Sequence, residues 1–200
     1  MPGSYAFDPR AAPVLRGDER TVKILIAGHF AAGKTTLVQG LSQIPPLSTE
    51  EVMTSAGVGT DHTHLADKTT TTVAMDFGRL SLSEDLVLYL FGAPGQERFF
   101  PVLCDLAYGA LGAIVLTDTR HLDETYPILE LVERLSLPYM VAVNAFDEAP
   151  VHPMERLREV MALAPETPLV TCDARDTAST KSALITLMRH LRTLASEPSR

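Results

Sequence analysis

The chain has few of the features that mark membrane-spanning or nucleic-acid-binding proteins. No stretch of its 200 residues approaches the run of about twenty apolar residues that crosses a bilayer. Its 17 lysines and arginines are scattered and outnumbered by 25 acidic residues, and the resulting net charge of -8 argues against a nucleic-acid-binding surface. We therefore expect no nucleic-acid partner and predict a protein partner instead.

Cysteine is equally scarce. Cys104 and Cys172 lie far apart, and neither belongs to a C-x-x-C pair or to a metal-ligand spacing. Both are predicted to be buried, reduced thiols, which favours a cytoplasmic location. The sequence shows no apolar signal segment, no Met-Gly start and no prenylation cysteine. We expect no direct membrane anchor, so that any recruitment to a membrane comes through partners.

The hydrophobic content of 46% is sufficient for one buried core. Apolar strands alternate with amphipathic helices, which predicts an α/β fold: a three-layer, six-stranded, mostly parallel sheet with helices on both faces. Residues 1–20 are interpreted as a flexible leader, residues 21–195 as a single domain and residues 196–200 as a tail. Residues 44–72 are unusually long for a connection inside a domain, which favours a functional role as a switch.

The strongest motif follows the first predicted strand. Residues 28–35, GHFAAGKT, fit the G-x-x-x-x-G-K-[ST] pattern of a phosphate-binding loop, or P-loop. Lys34 is predicted to reach the phosphate oxygens, and the hydroxyl of Thr35 is a suitable ligand for Mg²⁺. The predicted phosphate contacts are Gly28, His29, Phe30, Ala31, Ala32, Gly33, Lys34, Thr35 and Thr36.

Further motifs occur in an order that resembles the Ras-like small GTPases, a family of P-loop NTPases with a G domain. Residues 90–99, LFGAPGQERF, resemble the D-x-x-G-Q-E-R-F region. The resemblance implies that Gly95 contacts the γ-phosphate and that Gln96 is the catalytic residue that orients the attacking water. Gly92 stands where that pattern has an aspartate of the Mg²⁺ site, so we expect weak Mg²⁺ binding or slow hydrolysis.

Residues 72–77, TVAMDF, resemble the T-x-x-x-D-F sequence of the first switch of that family. The resemblance implies that Thr72 contacts the nucleotide and is the second Mg²⁺ ligand. Thr71 and Thr70 are alternative candidates for the motif threonine if the alignment to the motif shifts by one or two residues.

The chain also has stretches similar to the motifs with which Ras-like small GTPases recognise the base. Residues 144–147, NAFD, resemble N-K-x-D, in which the aspartate accepts hydrogen bonds from guanine. Residues 172–175, CDAR, resemble the S-A-K loop, whose alanine N–H binds the guanine O6. This implies GTP/GDP as the ligand, because adenine would leave a buried acceptor unpaired. Ala145 replaces the lysine of the motif, which predicts weaker affinity more than weaker specificity. The implied base contacts are Asn144, Asp147, Cys172, Asp173 and Ala174.

Three longer stretches, at 45–54, 68–78 and 88–96, closely resemble the conservon GTPases of actinomycetes, the CvnD type. These are relatives of the bacterial polarity GTPase MglA. The resemblance implies a GTP/GDP switch that hydrolyses GTP slowly. It also implies a roadblock/LC7-domain dimer as partner and, through that complex, a sensor-kinase-like membrane protein.

Three functional classes stay open: a GTPase switch, a nucleotide-binding adaptor with little turnover, and a P-loop kinase or ATPase. The third needs an acceptor site with clustered arginines, which the sequence does not show. Arg98 and Arg79 are internal sources of catalytic positive charge, although a solvated side chain or a local ion pair is the commoner role for each. Phe30 occupies a loop position where fast hydrolysers usually have glycine, which also predicts slow hydrolysis.

Overall fold

The computed structural model describes residues 19–45, 47–53 and 71–196, with the backbone alone for residues 47–53 and 71–74. The predicted leader (all but its last two residues) and residues 197–200 of the predicted tail lie outside this range. The described residues form strands and α-helices, with two short 3₁₀ helices at Glu97–Phe99 and Asp123–Thr125. The elements are β1 (Arg20–Gly28), α1 (Lys34–Leu41), β2 (Leu47–Met53), β3 (Thr71–Ser81), β4 (Leu86–Gly92), α2 (Phe100–Ala107), β5 (Gly112–Thr117), α3 (Tyr126–Arg134), β6 (Tyr139–Asn144), α4 (Met154–Val160), β7 (Leu169–Cys172) and α5 (Thr177–Ser196).

The strands form one sheet in the order β2-β3-β4-β1-β5-β6-β7. All neighbouring pairs from β4 to β7 are parallel, whereas β3 runs antiparallel to both β2 and β4. The predicted α/β class and the mostly parallel sheet are confirmed. The sheet has seven strands where six were predicted, because residues 47–53 of the predicted switch pair with β3 as an edge strand. Their polar sequence, LSTEEVM, gave no apolar signal for a strand.

Helices cover both faces of the sheet, and β1 contributes to both cores. Successive residues of a strand point to opposite faces, so Ile24 and Ile26 pack towards one face and Leu25 and Ala27 towards the other. Apolar residues of α1 and α5 complete the first core, and those of α2, α3 and α4 complete the second. The structure therefore has the three predicted layers.

The parallel strands place their carboxyl ends at one edge of the sheet. β1 ends at Gly28, β5 at Thr117 and β6 at Asn144, and the loops that follow these strands are neighbours. In open α/β sheets this edge is where ligands bind. The motifs predicted from the sequence lie here.

Candidate functional site

The loop between β1 and α1 closes around its own lysine. The Lys34 ammonium donates hydrogen bonds to the carbonyl oxygens of Gly28 (2.9 Å) and His29 (2.6 Å). Gly33 has a φ of +101°, in the left-handed region that favours glycine, and an added Cβ would collide with the Asn144 side chain. The loop has the curled backbone and the central lysine that the P-loop motif predicts.

Burial and a nearby carboxylate act in opposite directions on the pKa of this lysine. Removal from water lowers the pKa of Lys34 to about 8, and the negative charge of Asp76 opposes that effect. Negative charge brought next to Lys34 favours its ammonium form. An oxyanion such as a phosphate therefore fits this position electrostatically.

Thr35, at the start of α1, connects the loop to β3. Its hydroxyl donates a hydrogen bond of 2.7 Å to Oδ2 of Asp76. Asp76 is 8% exposed, and no role was predicted for it although it is the aspartate of the T-x-x-x-D-F stretch. Thr72 lies in β3, but its side chain is outside the described residues, so its predicted Mg²⁺ role stays a prediction.

The loop after β4 packs directly on the phosphate loop. A Cβ added at Gly95 would lie 2.5 Å from the carbonyl oxygen of Gly28 and from the amide nitrogen of Phe30, so a side chain has no room there. The amide oxygen of Gln96 is buried and has no hydrogen-bond partner among the described residues. A cleft of about 410 Å³ lies between these loops, and it is lined by residues that include Phe30, Lys34, Thr35, Asp76, Gln96 and Arg98.

The two arginines considered from the sequence have different surroundings. Arg98 is exposed at the cleft, with its guanidinium carbon 4.8 Å from the centroid of the Phe99 ring. Arg79 is buried in β3 and forms an ion pair of 3.7 Å with Glu19. Arg98 therefore lines the same cleft as Gln96, whereas Arg79 is held in a local ion pair.

Asn144, the last residue of β6, joins the phosphate loop to the loop after β7. Its amide nitrogen donates to the carbonyl oxygen of Ala32 (2.9 Å), and its oxygen accepts from the N–H of Ala174 (3.0 Å). The Ala174 N–H that was predicted to bind the guanine O6 is engaged by this contact. Two predicted ligand-binding loops are therefore held next to each other.

The predicted guanine reader is paired with an arginine that the sequence analysis did not select. Both oxygens of Asp147 accept hydrogen bonds from Arg175, each at 3.0 Å. The same guanidinium binds Asp173 through two bonds of 3.0 Å. These hydrogen bonds from Arg175 lower the pKa of Asp147. The signal in the sequence was the CDAR stretch itself, in which Arg175 stands in place of a lysine.

His29 lies in the phosphate loop, but its side chain is 1% exposed and is not among those that line the cleft. Its Nε2 lies 3.3 Å from Oδ2 of Asp118, the residue after β5. Asp118 accepts hydrogen bonds from Nε (3.0 Å) and Nη2 (3.1 Å) of Arg120, whose guanidinium carbon is 3.6 Å from the ring centroid of Phe146. The phosphate contact predicted for His29 is therefore left to its backbone N–H.

Thr36 and the two cysteines also lie among the described residues. Thr36 is exposed in the first turn of α1. Cys172 is buried at the end of β7, where burial raises its pKa, and Cys104 is half-buried in α2. Both cysteines are free thiols, so the expected burial is confirmed for Cys172 and only partly for Cys104.

Comparisons with known proteins bear on the family and on the fold of the chain. Residues 26–193 match the sequence family described as "conserved hypothetical ATP binding protein". The chain belongs to this family. The G domain of the T. maritima iron transporter FeoB is a similar solved structure, with a TM-score of 0.58 and 19% identity, covering 88% of this chain and 100% of that one. At this identity the likeness shows the fold alone, and no curated protein matches the chain. This member of the ATP-binding family is a nucleotide-binding protein with the fold of a G domain.

Two further features of the described residues concern metal binding and membrane crossing. No group of three or more His, Cys, Asp or Glu side chains in this part of the chain is arranged to hold a metal ion. A Mg²⁺ site of this class uses hydroxyl, carboxylate and phosphate oxygens, so that finding does not test it. None of the described helices combines the length and the apolar character that a bilayer crossing requires.

Proposed function

We propose that the chain is a small GTPase that acts as a GTP/GDP switch and hydrolyses GTP slowly. The observation that supports this best is the double contact of Asn144 with Ala32 and Ala174. It holds a phosphate-binding loop and the two loops of a guanine-binding motif at the same sheet edge. Phosphates and base of one nucleotide can then be bound together.

At the phosphate end, Lys34 and the N-terminus of α1 neutralise the phosphate oxygens. The Thr35 hydroxyl and the cleft beside it have the hard oxygen chemistry that Mg²⁺ prefers, and we propose Thr35 and Thr72 as residues that hold it. When bound, Mg²⁺ supplies positive charge against the β- and γ-phosphate oxygens. Gln96, whose amide oxygen lacks a partner among the described residues, orients the attacking water.

At the base end, Asp147 reads guanine. Guanine presents an N–H and an amino group side by side, and a carboxylate accepts both. Adenine has an acceptor nitrogen in place of that N–H, so it cannot satisfy Asp147 in the same way. This reading differs from the name of the sequence family, which mentions ATP.

The proposed setting is that of the conservon GTPases: a cytoplasmic protein that works with a roadblock/LC7-domain dimer and is recruited to a membrane through a sensor-kinase-like protein. The three stretches of resemblance support this proposal. Phe30 also supports it, because this phosphate-loop residue is 66% exposed at the cleft and is available to a partner. Phe30 lies beside the same cleft as Gln96, in keeping with slow hydrolysis without a partner.

Nucleotide selectivity tests the base-reading proposal. We expect the chain to bind GTP more tightly than ATP in a titration with fluorescent analogues. Asp147→Asn should reverse the hydrogen-bonding pattern and shift preference from GTP to XTP. Glu148→Gln removes a neighbouring exposed carboxylate and serves as the matched control. Unchanged GTP selectivity in Asp147→Asn would remove Asp147 from its role.

Single-turnover hydrolysis separates a switch from an adaptor. The chain is loaded with GTP and Mg²⁺, and GDP formation is followed with and without a roadblock-domain protein. We expect slow conversion that Gln96→Ala reduces by about 10²-fold or more, as for loss of a residue that positions the nucleophile. If bound GTP stays intact in both conditions, the adaptor function is correct instead.

ATP binding is the second candidate function. It is favoured by the description of the family and by the occupation of both Asp147 oxygens by Arg175. In that case ATP and GTP would bind alike, and Asp147→Asn would change neither affinity.

A further inference from the structure

Asp76 and Gly92 are directly paired across two strands. They are opposite residues in the antiparallel ladder between β3 and β4. A Cβ added at Gly92 would lie 2.9 Å from the Cβ of Asp76 and 3.0 Å from its Oδ2. The Asp76 side chain therefore fills the space that a side chain at position 92 would need.

The carboxylate of Asp76 belongs to the phosphate-binding cleft. It accepts the hydrogen bond from Thr35, and its charge favours the ammonium form of Lys34 against the burial that lowers the pKa of that lysine. Asp76, Lys34 and Thr35 all line the cleft. The three groups that a metal-nucleotide site needs near the phosphates, a cation, a hydroxyl and a carboxylate, are thus together.

Among the described residues, Asp76 has only part of the usual compensation of a buried carboxylate, since the charge of Lys34 acts on it without a close ion pair. Burying such a group is costly unless a cation or several hydrogen bonds compensate. Within the part of the chain that the structure describes, its side chain receives one hydrogen bond, from Thr35, and forms no ion pair with a lysine or arginine. A hydroxyl that donates to a carboxylate keeps its own lone pairs for a cation. A divalent cation beside Thr35 would bring positive charge into direct contact with this carboxylate.

We propose that Asp76 provides the carboxylate of a Mg²⁺ site, from β3, in place of the aspartate that is absent at Gly92 on β4. The ladder makes the two positions equivalent sources, because each side chain would project into the same space. Gly92 is then the small residue that makes room for Asp76, and its presence does not weaken the metal site. This inference rests on the proposed nucleotide binding, since phosphate oxygens are expected to complete the ligand set.

The test measures the effect of Mg²⁺ on nucleotide release. The chain is loaded with a fluorescent GDP analogue, and its dissociation into excess unlabelled GDP is followed over a range of MgCl₂ concentrations and in EDTA. Asp76→Asn keeps an acceptor oxygen for Thr35 but removes the charge. Asp76→Gly combined with Gly92→Asp moves the carboxylate to β4. Asp85→Asn, at the opposite end of β4, is the matched control.

We expect MgCl₂ to slow dissociation from the unaltered chain and from Asp85→Asn at the same concentration. Asp76→Asn should need about 10–100-fold more MgCl₂ for the same effect, the range seen when support for a metal site is lost. The double variant should regain the original response. If the double variant does not fold, Asp76→Asn alone tests the inference. The GDP release rate of each variant in MgCl₂ is compared with the release rate of the same variant in EDTA.

Two results would overturn the inference while leaving the proposed function in place: an unchanged MgCl₂ response in Asp76→Asn, or GDP release from the unaltered chain that ignores MgCl₂. Failure of the unaltered chain to bind the GDP analogue at all would overturn the proposed function and the inference with it. That result is seen before any variant is compared.

Discussion

Arg175 presents to Asp147 the same kind of donor edge that guanine presents. Its two terminal nitrogens donate to the two carboxylate oxygens at 3.0 Å each, as the N–H and amino group of guanine are proposed to do. A carboxylate has one end-on edge for a bidentate donor pair, so Arg175 and guanine would compete for Asp147 in the proposed complex. We therefore expect guanine binding to displace Arg175 from Asp147 and to leave the contacts of Arg175 with Asp173 in place.

Arg175→Ala tests this competition. Because the Arg175 and Asp147 side chains are both exposed, their ion pair is weak, and its loss should tighten GDP binding by only about two- to fivefold. Isothermal titration calorimetry at two salt concentrations measures the change, which should shrink at high salt. Arg156→Ala, at an exposed pair with Glu159 in α4, is the control. Weaker GDP binding in Arg175→Ala would mean that this arginine supports the base.

At the scale of elements, one chain of side-chain contacts connects three loops at the carboxyl edge of the sheet. His29 belongs to the loop after β1, Asp118 and Arg120 to the loop after β5, and Phe146 to the loop after β6. Burial opposes ionisation of Asp118, but the hydrogen bonds from Arg120 hold its pKa below the ordinary value. Asp118 is the centre of this chain, since both basic side chains contact it.

Asp118→Ala should therefore act at a distance from any ligand. It removes the carboxylate that lies beside the buried His29 ring and frees Arg120 from its position on Phe146. We expect a loss of about 2–3 kcal/mol in the free energy of unfolding, measured in urea, together with weaker GDP binding. Asp123→Ala, an exposed carboxylate in the neighbouring 3₁₀ helix, should change neither quantity. Wild-type stability in Asp118→Ala would show that the three loops are held by other contacts.

The sequence predicted elements better than it predicted contacts. The β1-loop-α1 unit and the buried strand β5 were found because apolar periodicity and the glycine pattern are local signals. β2 was missed because its pairing with β3, and not its composition, makes it a strand. Asp76 was quoted without a role because the β3–β4 register that pairs it with Gly92 is not readable from spacing. Arg175 was missed for a similar reason, since its contact with Asp147 forms only because the loops after β6 and β7 meet in the fold.

At the scale of the whole molecule, the site is assembled from segments spread over most of the chain. Lys34 follows β1, Asp76 lies in β3, Gln96 follows β4, and Asn144 ends β6. None of these segments holds a nucleotide by itself, so the proposed ligand binds the folded chain and not the unfolded one. A ligand of that kind stabilises the whole fold by mass action.

Thermal unfolding measures this coupling. At a GDP concentration of about one hundred times its dissociation constant, with Mg²⁺, the stabilisation is about 2.7 kcal/mol. For a domain of about 150–250 residues each kcal/mol raises Tm by about 2–4 °C, so we expect a rise of about 5–11 °C. ADP at the same concentration should have little effect if Asp147 reads guanine as proposed, because adenine lacks the N–H that this carboxylate would accept. Lys34→Ala should remove the effect of GDP on Tm, since it takes away the cation that is proposed to bind the phosphates.

Equal increases in Tm with ADP and GDP would favour ATP as the physiological ligand. A full increase in Tm in Lys34→Ala would place the phosphates elsewhere in the fold.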